Sequence, residues 1–234
     1  MDKKKNYAQL KKKSQELGLD LFGSAKIESI KKEFTVSPQV LGKVDKAISL
    51  GIRLSGLILE ELQSAPTRMY FHHYRTANTF LDQAALRLSN YIQLKGYCAL
   101  PIAASQIVDW QKQTAHLSHK KIAYLAGLGW IGSNNLLVNK AFGSQIRLVS
   151  ILTDFPLSLD KPVTESCGDC FICLKVCPAS AIKESPEQFE PIKCFEKLKE
   201  FQKQRLVDQF ICGVCLNACK GKKRKNKKEA TDVF

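Results

Sequence analysis

Cys167-Gly-Asp-Cys170-Phe-Ile-Cys173-Leu-Lys-Val-Cys177-Pro178 is the stretch that decides how the last third of this chain folds. Its spacing, C-x2-C-x2-C-x3-C-P, is that of bacterial two-cluster ferredoxins. Three thiolates two residues apart wrap one face of an iron–sulfur cube. The fourth, three residues on and at the start of a helix, points away toward a second cube. Pro178 suits the first turn of that expected helix, where a missing N–H costs nothing.

Downstream, Cys212-Gly-Val-Cys215-Leu-Asn-Ala-Cys219 repeats the C-x2-C-x3-C part without its first member. Regular spacing puts that member at Gln209, so Cys194 is the substitute, reaching in from an insertion. Cys219 is followed by Lys220 rather than proline. The arithmetic closes on two [4Fe–4S] clusters. Cys167, Cys170, Cys173 and Cys219 serve the first, and Cys177, Cys194, Cys212 and Cys215 serve the second. Structural zinc uses paired C-x2-C units, but it does not explain a three-cysteine run ending in C-x3-C-P. Disulfides need an oxidising compartment. The ninth cysteine, Cys98, reads as a small buried residue.

Working outward, the 234 residues suffice for a core of their own before residue 157 plus a small metal-held module. The expected divisions are 1–157 for a cofactor or substrate domain, 158–220 for the ferredoxin-like module, and 221–234 for a basic, disordered tail. No apolar stretch is long enough to span a membrane, and no signal-like h-region follows Met1, so a cytoplasmic location is expected. The formal charge of +14 is concentrated at the ends, with +5 in residues 1–13 and +5 in residues 220–234. Two cubes bound by thiolates would offset the remaining charge. The run from Lys220 to Lys228 is suited to phosphate contacts with RNA or to simple solvation.

Residues 6–18 read as a basic amphipathic helix, and 19–25 and 46–54 as strands. From His73 to Lys95 apolar residues recur at three and four, a long helix closed by Gly96. Residues 97–102 form another strand and 117–126 a helix. Residues 135–138 and 145–153 read as a strand pair. The fold class expected is α/β (α+β) with a mixed sheet, followed by a bacterial-type two-[4Fe–4S] ferredoxin-like module. Gly127-Leu-Gly129-Trp130-Ile-Gly132 matches G-x-G-x-x-G, but a helix precedes it and a strand follows. That is the reverse of a dinucleotide-binding turn.

The segment Ala126-Gly-Leu-Gly-Trp-Ile-Gly132, with Asn135-Leu-Leu-Val, Gly143-Ser and Leu152-Thr-Asp-Phe-Pro-Leu157, resembles the epoxyqueuosine reductase family. The cysteine order, including the detached Cys194, is similar too, as are Glu16-Leu-Gly-Leu and Leu21-Phe-Gly-Ser. The likeness runs to Cys219, and this chain reads as a short member lacking the C-terminal helical-repeat domain. The resemblance implies base-off cobalamin, electrons passed through both clusters to cobalt, and reduction of an epoxide in a tRNA wobble nucleoside. It implies Gly127, Gly129, Trp130 and Gly132 as cofactor-binding residues, with Tyr74 and Arg75 as further residues that could face the cofactor. It also implies a low-potential electron donor, and tRNA as a partner through the basic tail. The family's aspartate acid falls at Gln113 here, and its proline is missing from Gln113-Thr-Ala-His116-Leu-Ser-His119-Lys120. Asp109, His116 and His119 are the remaining candidates for proton donor. The rival expectations are a non-catalytic two-cluster electron-transfer protein for a corrinoid partner, and an RNA-binding protein with structural clusters.

Overall fold

Strand-forming alternation and two helical stripes account for the architecture. The computed structural model describes residues 2–221. The chain order is α1 (Lys3–Glu16), β1 (Leu21–Lys26), α2 (Pro38–Leu41), β2 (Lys46–Arg53), α3 (Gly56–Glu60), α4 (Arg68–Leu94), β3 (Ala99–Ile102), α5 (His119–Leu125), β4 (Trp130–Ile131), β5 (Leu137–Val138), β6 (Ile146–Thr153), α6 (Ile172–Val176), α7 (Pro191–Lys203) and α8 (Val214–Ala218). The main sheet runs β1-β2-β6-β3. Every pairing in it is antiparallel, with Ile48 opposite Ile151 and Leu50 opposite Val149. The mixed sheet is thus corrected. Apolar alternation fixes which face a strand buries, whereas its direction is set by the connections.

One sheet face presents Ile48, Leu50, Val149 and Ile151 to α4. That helix answers with Leu81, Ala84, Ala85, Leu88 and Ile92, one stripe at helical spacing. It starts a turn earlier than its apolar pattern suggests, because Thr67 Oγ1 accepts from the Tyr70 amide and caps it. The other face carries small residues in register, Gly23 beside Ser49 beside Ser150. They let α5 lie close. A Cβ on Gly23 would collide with the Ala126 carbonyl.

Leu137–Val138 pairs with Trp130–Ile131 in a separate two-stranded ribbon, while β6 joins the main sheet. The expected pairing of 135–138 with 145–153 is corrected accordingly. Gly129, at φ +155°, lets the Val138 backbone approach where any side chain would block it. Cys177 closes α6 instead of opening a helix, and no helix follows until the 3-10 turn at Pro186–Gln188. The proline there ends a helix. Cys98 is exposed, not buried.

The cysteine-rich part shares a core with the rest. Leu54, Leu59, Leu62, Tyr70 and Phe71 pack with Val207, Ile211 and Leu216. No helix among the described residues is long and apolar enough to cross a membrane. The basic run beyond Gly221 lies outside the described residues.

Candidate metal centre and adjoining cavity

Two five-residue helices repeat one arrangement. In α6, Cys173 lies inside the helix and Cys177 caps its end; in α8, Cys215 lies inside and Cys219 caps. The caps cross over. Cys219 feels the charges of Cys167 and Cys170, and Cys173 feels those of Cys219, Cys167 and Cys170. Cys177 acts instead on Cys194, Cys212 and Cys215. Cys215 also feels Cys173, a member of the other group. Cys194 is supplied by α7. Among the described residues no three His, Cys, Asp or Glu side chains gather as a site for a single metal ion.

Burial, with the neighbouring thiols adding to it, pushes Cys173, Cys194 and Cys212 up to about 11, and Cys215 well above its ordinary value. Such thiols stay protonated at neutral pH, so loading a metal releases protons. Soft thiolates in sets of four suit iron–sulfur clusters, which is the donor chemistry the fit requires. Cys177, Cys194, Cys212 and Cys215 line one cavity of about 240 Å³.

That cavity shares Leu136, Arg147 and Leu216 with a second of about 270 Å³, lined also by Lys120, His119 and Ser144. The opening exists because β3 stops at Ile102, leaving β6 unpaired on that edge from Ile146 to Val149. Arg147 crosses between the cavities. Its Nε donates to Asn78 Oδ1 at 3.0 Å, and its Nη2 to the Ala104 carbonyl at 3.2 Å and to the Tyr74 hydroxyl at 3.4 Å. Tyr74 shares a 2.7 Å hydrogen bond with Ser105. Burial alone would push the Tyr74 phenol up. The Arg147 charge and the bonds with Ser105, Asn78 and Arg147 outweigh it, so the phenol ends below its ordinary 10.

Of the sequence candidates for proton donor, His119 lines the second cavity, whereas Asp109 and His116 line neither. His119 Nε2 lies 2.8 Å from the Ala103 carbonyl, so it carries the proton and donates; Nδ1 accepts from Ser150 Oγ at 2.9 Å. Burial holds this ring neutral, down to about 4. His116 Nδ1 meets the Thr35 carbonyl at 2.8 Å. Asp109 accepts from the amides of Gln111 and Lys112, tying a turn. Gln113 stands in that turn at φ +52°, its side chain donating to the Trp110 carbonyl.

Gly127 packs on the Lys161 carbonyl, Gly129 on Val138, and Gly132 on Val138 and the Cys167 sulfur. Trp130 Nε1 donates to Cys167 Sγ at 3.3 Å. None of these four lines either cavity. Arg75 faces away, over the Phe71 ring. Arg147 and Lys120 escaped the reading of the sequence. The one available signal for Arg147 was a cation inside the apolar run Ile146-Arg-Leu-Val-Ser-Ile151.

No family model matches the chain. It is 33% identical over 134 residues to the epoxyqueuosine reductase of Salmonella typhimurium, covering 57% of this chain and 33% of that one. With the epoxyqueuosine reductase of Cyclobacterium marinum it shares 26% over 239 residues, 90% of this chain and 77% of that one. Among solved structures, a reductive dehalogenase described as B12-dependent superposes at TM-score 0.74 with 21% identity, over 93% of this chain and 32% of that one. An epoxyqueuosine reductase holding an epoxyqueuosine-modified tRNA stem loop superposes at 0.63 with 20% identity, over 92% and 64%. Several curated relatives are matched over only about a third of their length. The fold is therefore the α/β fold that reductive dehalogenases and epoxyqueuosine reductases have in common. Within that class, the chain is most readily compared in sequence with epoxyqueuosine reductases, over part of the length of most of them.

Proposed function

We propose that the chain is an iron–sulfur oxidoreductase of the epoxyqueuosine reductase type, passing electrons through two [4Fe–4S] clusters to an acceptor held where Tyr74 and Arg147 meet. The observation that carries this reading is the division of eight thiols into two sets of four that exchange one member each, Cys177 for Cys219. Residues 158–220 are the proposed cluster module, served by a low-potential donor, and 1–157 the acceptor-binding part.

When bound, the clusters supply single electrons at low potential. The chain's own side chains do the rest. Tyr74, its phenol drawn below the ordinary value, gives a proton to the reduced acceptor. The Arg147 guanidinium stabilises the phenolate left behind, and exposed Ser105 returns a proton from solvent. Apolar Leu136 and Leu216 keep bulk water off the shared wall.

A corrinoid is proposed only through likeness to a B12-dependent relative. Cavities of about 240 and 270 Å³ fall below the roughly 300–1,000 Å³ of pockets for drug-sized ligands, so a corrin does not fit either one, and no step is routed through it. Transfer RNA is the proposed macromolecular partner, since an epoxyqueuosine reductase has been seen with a modified stem loop. A second reading, a non-catalytic electron carrier, is favoured by one observation: Gln113, where the family's acid is expected, is tied to Trp110 at a loop tip.

Anaerobic reconstitution tests the leading reading. About eight iron atoms per chain are expected, falling to about four in Cys194→Ala. Iron unchanged in that variant would refute the ligand assignment. A base-off spectrum on titrating cobalamin would overturn the conclusion that a corrin does not fit. Single-turnover reduction of an acceptor with no second turnover would leave the carrier reading.

A further inference from the structure

Two cations line the second cavity without a carboxylate to answer them. Arg147 bonds only neutral partners: Asn78, Tyr74 and the Ala104 carbonyl. Its Nη1 has no hydrogen-bond partner among the described residues. Lys120 Nζ donates to the Asn135 carbonyl at 2.7 Å and to Asn135 Oδ1 at 2.5 Å, leaving one N–H unused. Neither takes part in any ion pair among the described residues, and no Asp or Glu lines either cavity.

Partly buried charge without a partner is costly, and proteins keep it where a ligand supplies the opposite sign. The cost is visible at Lys120, which burial, then Lys121, brings down to about 8. Elsewhere the lysines find carboxylates readily, as Lys121 does with Glu33 and Lys183 with Glu190. Arg147 and Lys120 come from different elements, β6 and α5, so one helix surface does not explain their meeting. The floor between them is apolar, made by Leu137, Ile146 and Leu148.

We propose that this cavity binds a small organic oxyanion, a carboxylate or a phosphate, clamped between Arg147 and Lys120 with its apolar body on Leu137, Ile146 and Leu148. Guanidinium offers a fork matched to such groups, and ammonium a point charge. At about 270 Å³ the space admits one compact molecule and excludes a folded stem loop. Arg147 stands between the anion and the cavity of Cys177, Cys194, Cys212 and Cys215, and screens their repulsion. Arg147 also lines the cavity where the acceptor is proposed to meet Tyr74, so in naming a ligand class beside that site the inference rests on the redox reading.

The test is calorimetric titration of the anaerobically purified full chain with benzoate, orthophosphate and neutral benzamide, with iron measured in every sample. At least one anion should bind, and benzamide should not. Lys120→Gln should weaken the anion by about tenfold, and Lys120→Arg should restore it to within about threefold. Arg147→Lys should weaken it while keeping the charge. The tighter of benzoate and phosphate identifies the oxyanion. Equal binding of benzamide, or affinities unmoved in Lys120→Gln, overturns the proposal. Iron-replete protein that binds neither anion refutes it and leaves the cluster reading standing. Anion binding in protein that never takes up iron does the reverse.

Discussion

His119 shows how one residue can be chemically conspicuous and structurally employed. Its ring joins both feet of the loop 103–118, through Ala103 on one side and Ser150 beneath. Neutral when folded, with a value near 4 against an ordinary 6.5, it takes up a proton more readily when unfolded. The unfolded state therefore binds more protons between those values, and stability present above pH 6.5 is lost as the pH falls. From pH 7 to 5 this amounts to about 2 kcal/mol. Urea unfolding of the native chain should show that extra loss relative to His119→Gln, and parallel curves would exclude it. Trp130 offers a second residue-scale prediction. Its indole N–H meets the Cys167 sulfur, and a donor to a ligand sulfur favours the more reduced cluster. Trp130→Phe should lower the first cluster's midpoint by about 20–40 mV, the one-electron equivalent of roughly 0.5–1 kcal/mol, by redox titration. A shift upward would contradict the role. Sequence spacing is enough to propose eight cysteines as cluster ligands, because cluster ligation is a local rule. Arg147 and Lys120 were not legible, because their meeting depends on where β3 stops.

At the scale of elements, the loop between β3 and α5 is the part that Gln113 and Trp110 belong to. Its tip is a tight turn with Asp109 bridged to Thr114. Trp110 leans on Phe195 and Phe210 at centroid distances of 6.2 and 5.2 Å, and Phe210 lines the cavity of the second cysteine set. Each such ring pair contributes about 0.5–1.5 kcal/mol. Trp110→Ala should speed amide exchange at Gln111 to Thr114 by about tenfold and leave β2 and β6 unchanged. Exchange unaltered at the tip would mean that the stack does not hold the loop. The long helix α4 was legible, since its stripe recurs over many turns. The ribbon of β4 and β5 was not, because strands of two residues carry no periodicity and depend on Gly129 opening a path for Val138.

Over the whole molecule, the question is how far metal loading reaches. The helices α6 and α8, each with one cysteine inside and another at its end, are five residues each, so the order of the cysteine-rich part depends on what its thiols hold. Its anchor on the rest is the shared core in which Val207, Ile211 and Leu216 meet Leu54, Leu59, Leu62, Tyr70 and Phe71. Gly213 sits within that contact at φ +84°, where a Cβ would strike Tyr70 and Leu62, so the Cys212–Cys215 turn is pressed onto α4. The α4–sheet core of Leu81, Leu88, Ile48 and Ile151 involves no residue of the cysteine-rich part. Chelating iron from reconstituted protein should therefore release amide protection in 166–219, and with it α3 and the first two turns of α4. The sheet and the C-terminal half of α4 should keep theirs. Hydrogen exchange read segment by segment distinguishes this graded loss from the alternatives. If the whole chain lost protection together, the clusters would be holding the sheet as well. If α3 and Tyr70 were untouched, the shared core would be stable without metal, and the cysteine-rich part would be a passenger on a self-sufficient domain.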